Sequence, residues 1–481
     1  MFPNPIHGET GKQPFLIGGK WVASDNVYQL RSPYDGSLVA EVCNAGPAQA
    51  EEALAGAAAA FDSFRKLSAF RRAEILRKLS SLVRENGNPL AELLAREVGK
   101  PLKSARMEVE RAAFTFAWAA GEAERIGGEV IRFDLTATTD RRFGLTRLFP
   151  RGPVLGITPF NFPLNLAAHK IAPAIAVGNP LVIKPPQMGA LTTLALGELI
   201  LEAGLPPEAL SVVRCESKLA EQMVADERIK VVSFTGSSAV GWALKQKAGK
   251  KQVVLELGGN AAVIVDRTAD LEAAAKRCAP AAFYLAGQSC ISVQRIYVHR
   301  SVFDAFVDKF LHETRALKVG DPLDASTDVG PMITAQAAQQ AVAWVGEAVA
   351  QGARLLLEPQ LNGAVLTPGV LTDVPDRAKV SCEEVFAPLV VVNPYDTWEE
   401  ALQRVNDSRF GLQAGVFTRD LTLAMTAFQE LEAGGILINE VPTYRLDHMP
   451  YGGVKDSGFG REGLKYAIQE MCELKLLIVN F

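Results

Sequence analysis

Apolar positions along the chain follow three successive patterns, and each predicts a different kind of element. "AQAEEALAGAAAAFDSF" and "AFRRAEILRKLSSLVREN" repeat apolar residues every three or four positions with charge on the other face, which predicts two amphipathic helices. From Arg125 to Arg147, "RIGGEVIRFDLTATTDRRFGLTR" alternates strand-like residues around polar turns and predicts a protruding hairpin, expected to meet another subunit. Beyond Phe149 the pattern becomes strand, helix, strand: "GPVLGITP", "PLVIKPP", "ALSVVRC" and "IKVVSFTG" are short apolar strands, each followed by a helical stretch. Such alternation predicts an α/β fold with a parallel sheet, the usual seat of nucleotide binding. A second alternating series from Gln252 to about Glu440 predicts a second α/β domain, and the closing "CELKLLIVNF" reads as a terminal strand seeking an edge.

Length and charge narrow the function classes. A chain of 481 residues needs two or three lobes, and a formal charge of −4 gives no bulk attraction to nucleic acid or anionic membrane. Six single cysteines without a C-x-x-C pair, and five histidines that do not cluster with them, leave no metal site in the sequence. They fit the reduced thiols of a cytoplasmic protein. The opening "MFPNPIHGETGKQ" lacks a basic-then-apolar leader, and no apolar run resembles a membrane span.

Candidate chemistry lies where strands end. Gly458, Gly460 and Gly463 form a literal G-x-G-x-x-G, but no clear strand precedes it and the chain ends before an acidic partner, so it is rejected as a dinucleotide fingerprint. "VVSFTGSSAVGWAL" is a better anion site: a strand runs through Gly236 and Ser237 into a helix containing Gly241, exposing N–H groups that suit a phosphate, or merely capping the helix. Lys184 ends a strand, and Asn161 sits between phenylalanines and prolines in "TPFNFP", either bonded locally or aimed at an oxyanion. Glu256, before a Gly-Gly turn in "LELGGN", is a proton acceptor if buried or a partner of a lysine; Glu384 belongs to "CEEVFAPL". Cys290 in "GQSCISVQR" is a packed thiol or a nucleophile. Together these supply a nucleophile, a base, an oxyanion donor and a dinucleotide site.

In this order "TPFNFP", "KIAPAIAVGN", "VIKPP", "FTGSSAVG", "LELGGN", "GQSC", "EEVFAPL" and "PYGGVKDSGFGREG" resemble the aldehyde dehydrogenase superfamily over essentially the whole chain. "GQSCISVQR" and "YRLDHMPYGG" look like its branch of lactaldehyde and non-phosphorylating glyceraldehyde-3-phosphate dehydrogenases. The resemblance implies a Rossmann-type cofactor domain (residues 1–124 and 147–257), a catalytic domain (258–456) and a β oligomerisation element (125–146 and 470–481). It implies that Cys290 attacks the aldehyde, Asn161 and the Cys290 N–H stabilise the oxyanion, Glu256 activates water, and Lys170 with Glu462 relays protons. It places NAD or NADP on Thr158, Pro159, Phe160, Lys184, Gln187, Gly236, Ser237, Gly241, Leu257, Glu384 and Phe386. The substrate pocket is expected to draw on Phe162, His169, Ser289, Ile291, Arg445, His448 and Tyr451, in a homodimer or homotetramer.

One position departs from the family pattern. Gln187 in "KPPQ" replaces the usual ribose-binding Glu, and a neutral amide need not repel a 2′-phosphate, so NADP is expected to be tolerated. The product is expected to be the acid of a small aldehyde, hydroxylated or anionic. A CoA-acylating enzyme, a silent relative and a cysteine hydrolase are the alternatives. Glu256 opposes the first, the joint presence of Cys290, Glu256 and Asn161 the second, and the lack of a partner histidine the third.

Overall fold

The computed structural model describes residues 11–481, so most of the N-terminal stretch examined for a leader lies outside the described residues. Two parallel-centred sheets organise the chain. The first has eight strands, with Gln252–Glu256, Val231–Thr235, Val154–Ile157, Leu181–Lys184 and Leu210–Val212 adjacent and parallel at its centre. Helices pack against these strands, and Val154–Ile157 and Leu210–Val212 are wholly buried, which is why they read as unbroken apolar runs rather than as alternation.

Strand order reverses between Val154–Ile157 and Val231–Thr235: the chain builds outward on one side through Leu181–Lys184 and Leu210–Val212, then returns to the other. A crevice opens where an α/β sheet reverses in this way, beyond the carboxyl ends of its strands. Asn165–Val177, Ala190–Glu202, Ser217–Ala225 and Ser238–Lys247 form the crossover helices, at the places their apolar periodicity predicts. Pro47–Phe64 and Ala69–Glu85 are the two amphipathic helices near the start.

The second sheet has seven strands, with Leu389–Tyr395, Arg295–His299, Ala262–Val265 and Gln413–Phe417 at its centre, around a separate apolar core. Gly458–Phe459 returns to the first sheet as an edge strand antiparallel to Gln252–Glu256, so the rejected glycine motif is no strand-to-helix phosphate turn.

Arg142–Pro150 and Cys472–Asn480 pair antiparallel along their whole length, with Val130–Ile131 beyond. The terminal strand thus finds its edge, and the hairpin strand continues past the expected boundary at residue 147 to Pro150. Leu474, Leu476, Ile478 and Phe481 remain exposed, leaving an apolar surface on this small sheet. Among the described residues no helix is long and apolar enough to cross a membrane.

Candidate active site

The loop after Val154–Ile157 is fixed from below by a buried carboxylate. Glu108 accepts hydrogen bonds from the N–H groups of Leu164 and Asn165 (2.9 and 3.1 Å) at the start of the Asn165–Val177 helix. It also pairs with buried Lys100, whose ammonium lies 3.9 Å from the Phe162 ring centroid. Held this way, Asn161 is buried and donates through Nδ2 to the Gln288 carbonyl at 3.0 Å, while its Oδ1 has no partner. An amide nitrogen carries two hydrogens, so one N–H is left for a ligand.

Opposite lies Cys290. The helix Leu271–Phe283 ends in a tight turn in which Leu285 and Ala286 adopt φ of 53° and Gly287 of 69°. Left-handed backbone at two residues with side chains costs about 1–2 kcal/mol each, and such strain concentrates at functional sites. At Gly287 a Cβ would collide with the Ala387 carbonyl, so glycine is required there.

The Gly258-Gly259 turn serves close approach in the same way. A Cβ on Gly258 would strike the Glu384 carboxylate and one on Gly259 the Cys290 carbonyl. Gly259 N–H donates to Glu384 Oε1 at 3.0 Å, and burial still pushes the Glu384 carboxyl up to about 7. Glu384 is therefore not half of an exposed acidic pair; its neighbour Glu383 is the one that pairs with Arg409.

Cys290 is half-buried in the cavity wall, with Sγ 3.1 Å from the Tyr451 hydroxyl. Burial pushes its thiol up to about 11, against the lowering pull of that hydroxyl. Glu256 is buried and neither carboxylate oxygen has a partner, which removes the lysine-paired reading. Desolvation, then the negative charge of Glu462, raises its pKa well above the carboxylate range.

Behind Glu256 a chain of buried charges runs to Tyr451. Lys170 donates to Thr235 Oγ1 (2.6 Å) and to Glu462 (3.2 Å); Glu462 also pairs with Arg445 at 3.1 Å. Burial would raise the Glu462 carboxyl, but Lys170, His169 and Arg445 outweigh it and hold the group low. Arg445 lies 3.6 Å from the Tyr451 ring centroid. It is a buried member of the wall, not part of a surface loop.

The cavity has a volume of about 810 Å³. Pro159, Phe160, Asn161, Gly236, Ser237, Glu256, Leu257, Glu384 and Phe386 line it at the sheet reversal, and Phe162, Tyr284, Ser289, Cys290, Ile291, Arg445 and Tyr451 line the rest of it. A dinucleotide fits the first group. The Ser238–Lys247 helix starts with no side-chain cap, leaving its N–H groups open to an anion, and the Thr158 hydroxyl is buried without a partner.

Other expected residues stand elsewhere. His448 does not line the cavity; its ring packs on Trp118 at 4.8 Å and against Phe114. His169 is buried behind the wall with Nε2 2.8 Å from Asp447, and burial lowers its pKa. Gly241 also stays outside the cavity: its missing side chain makes room for Leu257. Lys170 and Glu462 sit behind the lining, while Lys184 and Gln187 lie beyond it, Lys184 half-buried and Gln187 exposed. Burial, then the nearby Arg214 guanidinium, lowers the Lys184 pKa.

Several contributing residues escape sequence reasoning. Arg111 lines the cavity and binds Asp447 through two hydrogen bonds of 3.1 and 2.7 Å. Asp447 also accepts from Asn165, which makes it a hub for three cavity-side groups. Thr235 and Arg214 join Lys170 and Lys184 only through the fold. "YRLDHMPYGG" carried a signal for Asp447 in its acidic residue among apolar and basic ones; nothing local marked Arg111.

The family model described as Aldehyde dehydrogenase family matches residues 21–477. A 3-sulfolactaldehyde dehydrogenase of Priestia aryabhattai is 43% identical over 465 residues, covering 96% of this chain and 97% of that protein. The crystal structure of aldehyde dehydrogenase 21 from Physcomitrella patens, in complex with the reaction product succinate, superimposes with a TM-score of 0.95 at 40% identity, over 98% of both chains. The glyceraldehyde-3-phosphate dehydrogenase GapN from Methanocaldococcus jannaschii, complexed with NADP, gives 0.92 at 36% identity, over 95% of this chain and all of that one.

Proposed function

Because the chain belongs to the aldehyde dehydrogenase family, we propose that its cavity oxidises a small aldehyde with an anionic far end to the acid, using NADP. The observation that carries the substrate class is the pair of arginines, Arg111 and Arg445, in the wall that also holds Cys290. Arg445 Nε is buried without a partner, and burial strengthens its attraction for a sulfonate or carboxylate. The relative named for 3-sulfolactaldehyde and the aldehyde dehydrogenase 21 crystallised with the product succinate support an anion at that end.

The residues divide the work. Cys290 Sγ bonds to the carbonyl carbon, and the free N–H of Asn161 receives the resulting oxyanion. When bound, the nicotinamide accepts hydride from that carbon. The acyl group is left on Cys290 as a thioester, and Glu256 takes a proton from the water that cleaves it. The Glu462–Lys170 pair behind Glu256 then carries the proton away. Glu256 favours hydrolysis over transfer to CoA, since a site that excludes water needs no buried, unpartnered carboxylate.

Steady-state kinetics test the substrate class. The kcat/KM for 3-sulfolactaldehyde or succinic semialdehyde should exceed that for propanal about a hundredfold. Arg111→Gln should raise the KM of the charged aldehydes about tenfold and leave propanal unchanged. Equal kcat/KM for charged and neutral aldehydes would reject the anionic reading.

The nucleotide choice rests on Gln187, with Lys184 and Arg214 near the same strand end, and the NADP complex of the GapN relative supports it. Gln187→Glu should weaken 2′,5′-ADP binding by calorimetry about tenfold while sparing 5′-AMP. Equal loss of both ligands, or of neither, removes Gln187 from 2′-phosphate discrimination.

A further inference from the structure

We propose that the Tyr451 hydroxyl is the hydrogen-bond donor that stabilises the Cys290 thiolate, with Arg445 positioning and polarising it from behind. The inference rests on Cys290 being the nucleophile and adds a residue that activates it. Three observations converge on Tyr451. Its hydroxyl is 3.1 Å from Sγ, a hydrogen-bonding separation for sulfur. The guanidinium of Arg445 stands 3.6 Å from its ring centroid, where a cation draws electron density from the ring and makes the phenol a stronger donor. Its backbone is locked, Tyr451 and Glu462 exchanging N–H to carbonyl hydrogen bonds of 3.1 and 2.7 Å. Glu462 in turn pairs with Arg445 and Lys170, so the ring is clamped between its own backbone partner and the ion that partner holds.

A donor is needed here because the surroundings otherwise oppose ionisation. The charged groups that bear on Sγ are Glu256 and Glu384, both unfavourable to a thiolate if ionised, and Arg445, favourable. Among the described residues no histidine stands with these groups, so the usual cationic partner of a reactive cysteine is missing. The step is a simple deprotonation. The S–H bond breaks, its proton passes to water in the cavity, and the Tyr451 O–H stays intact and donates to the anionic sulfur. Tyrosine loses its proton even less readily than usual, burial being the largest cause, so it remains a donor over the working range.

Tyr451→Phe keeps the ring beneath Arg445 and removes only the hydroxyl. The resting holoprotein without aldehyde is the sample, so the result does not depend on substrate identity. Thiolate absorbance at 240 nm, taken as a difference from Cys290→Ala, should titrate about one pH unit higher in Tyr451→Phe than in the unmodified protein. Iodoacetamide labelling of Cys290 at pH 8 should slow about tenfold in parallel. Slower labelling with an unchanged thiolate titration would mean that Tyr451 only shapes access, and would overturn the proposal. An unchanged or lowered titration would overturn it as well. Should Tyr451→Phe fail to fold, incorporation of 3-fluorotyrosine into the unmutated chain replaces it. A stronger phenol donor should shift the labelling profile to lower pH, and no shift rejects the role. Cys290 as nucleophile is tested separately by loss of turnover in Cys290→Ala, so the two readings fail independently.

Discussion

Replacing Cys290 with alanine is expected to lower kcat for aldehyde oxidation by about 10⁵-fold while NADP still binds. The size follows from what the thiol supplies. Without it no covalent bond forms at the carbonyl carbon, and hydride would have to leave a hydrated aldehyde that the site does not activate. The fold should survive, because Cys290 faces the cavity and is only half-buried. No other cysteine can take its place. Cys43, Cys215, Cys278 and Cys472 are buried in the cores, and Cys382, half-buried, does not line the cavity. Burial also pushes the Cys278 and Cys472 thiols up, so a thiol reagent used near neutral pH should label Cys290 before them. Turnover near the wild-type rate in the alanine variant would remove the covalent mechanism.

Glu256→Gln is expected to leave a first burst of reduced nucleotide nearly intact and to slow steady turnover by about 10²–10⁴-fold. In the proposed mechanism the carboxylate is needed only after hydride has left, when water attacks the thioester. Its pH dependence follows from its environment. Burial and the neighbouring Glu462 raise the Glu256 pKa, so a larger share is protonated near neutral pH than for an ordinary glutamate. The protonated form cannot accept a proton from water. Steady turnover of the unmodified protein should therefore rise with pH as Glu256 ionises, and the glutamine variant should lose that limb. Rapid-quench measurement of the burst against turnover checks both points. An equal loss in burst and turnover would assign Glu256 to the first half of the reaction instead.

The strand ends were legible because parallel strands buried on both faces leave continuous apolar runs, and the chemistry-bearing residues interrupt them. Asn161, Lys184 and Glu256 each announce themselves as a polar residue at or just after such a run. The Gly-Gly turn was legible for a related reason, since a glycine pair after a strand implies close approach, and the approaching groups are Glu384 and Cys290. What escaped is set by packing at long range. Arg111 belongs to a helix whose pattern is ordinary, yet its guanidinium reaches Asp447 across 336 residues of sequence. His448 misled because it neighbours residues of the cavity wall in sequence, but its ring takes the face of Trp118 instead. Tyr451 was placed at the pocket by its motif, whereas its hydroxyl contact with Sγ depends on a backbone bridge to Glu462 that no local pattern specifies.

The account stands most directly on an acyl group carried by Cys290 and released by Glu256. Intact-protein and peptide mass spectrometry of Glu256→Gln, quenched in acid shortly after mixing with NADP and succinic semialdehyde, measures that species. The expected result is one succinyl group per active site, on the peptide containing Cys290 and absent when NADP is omitted. An unmodified Cys290 peptide, in a sample that has released a full burst of NADPH, would contradict it.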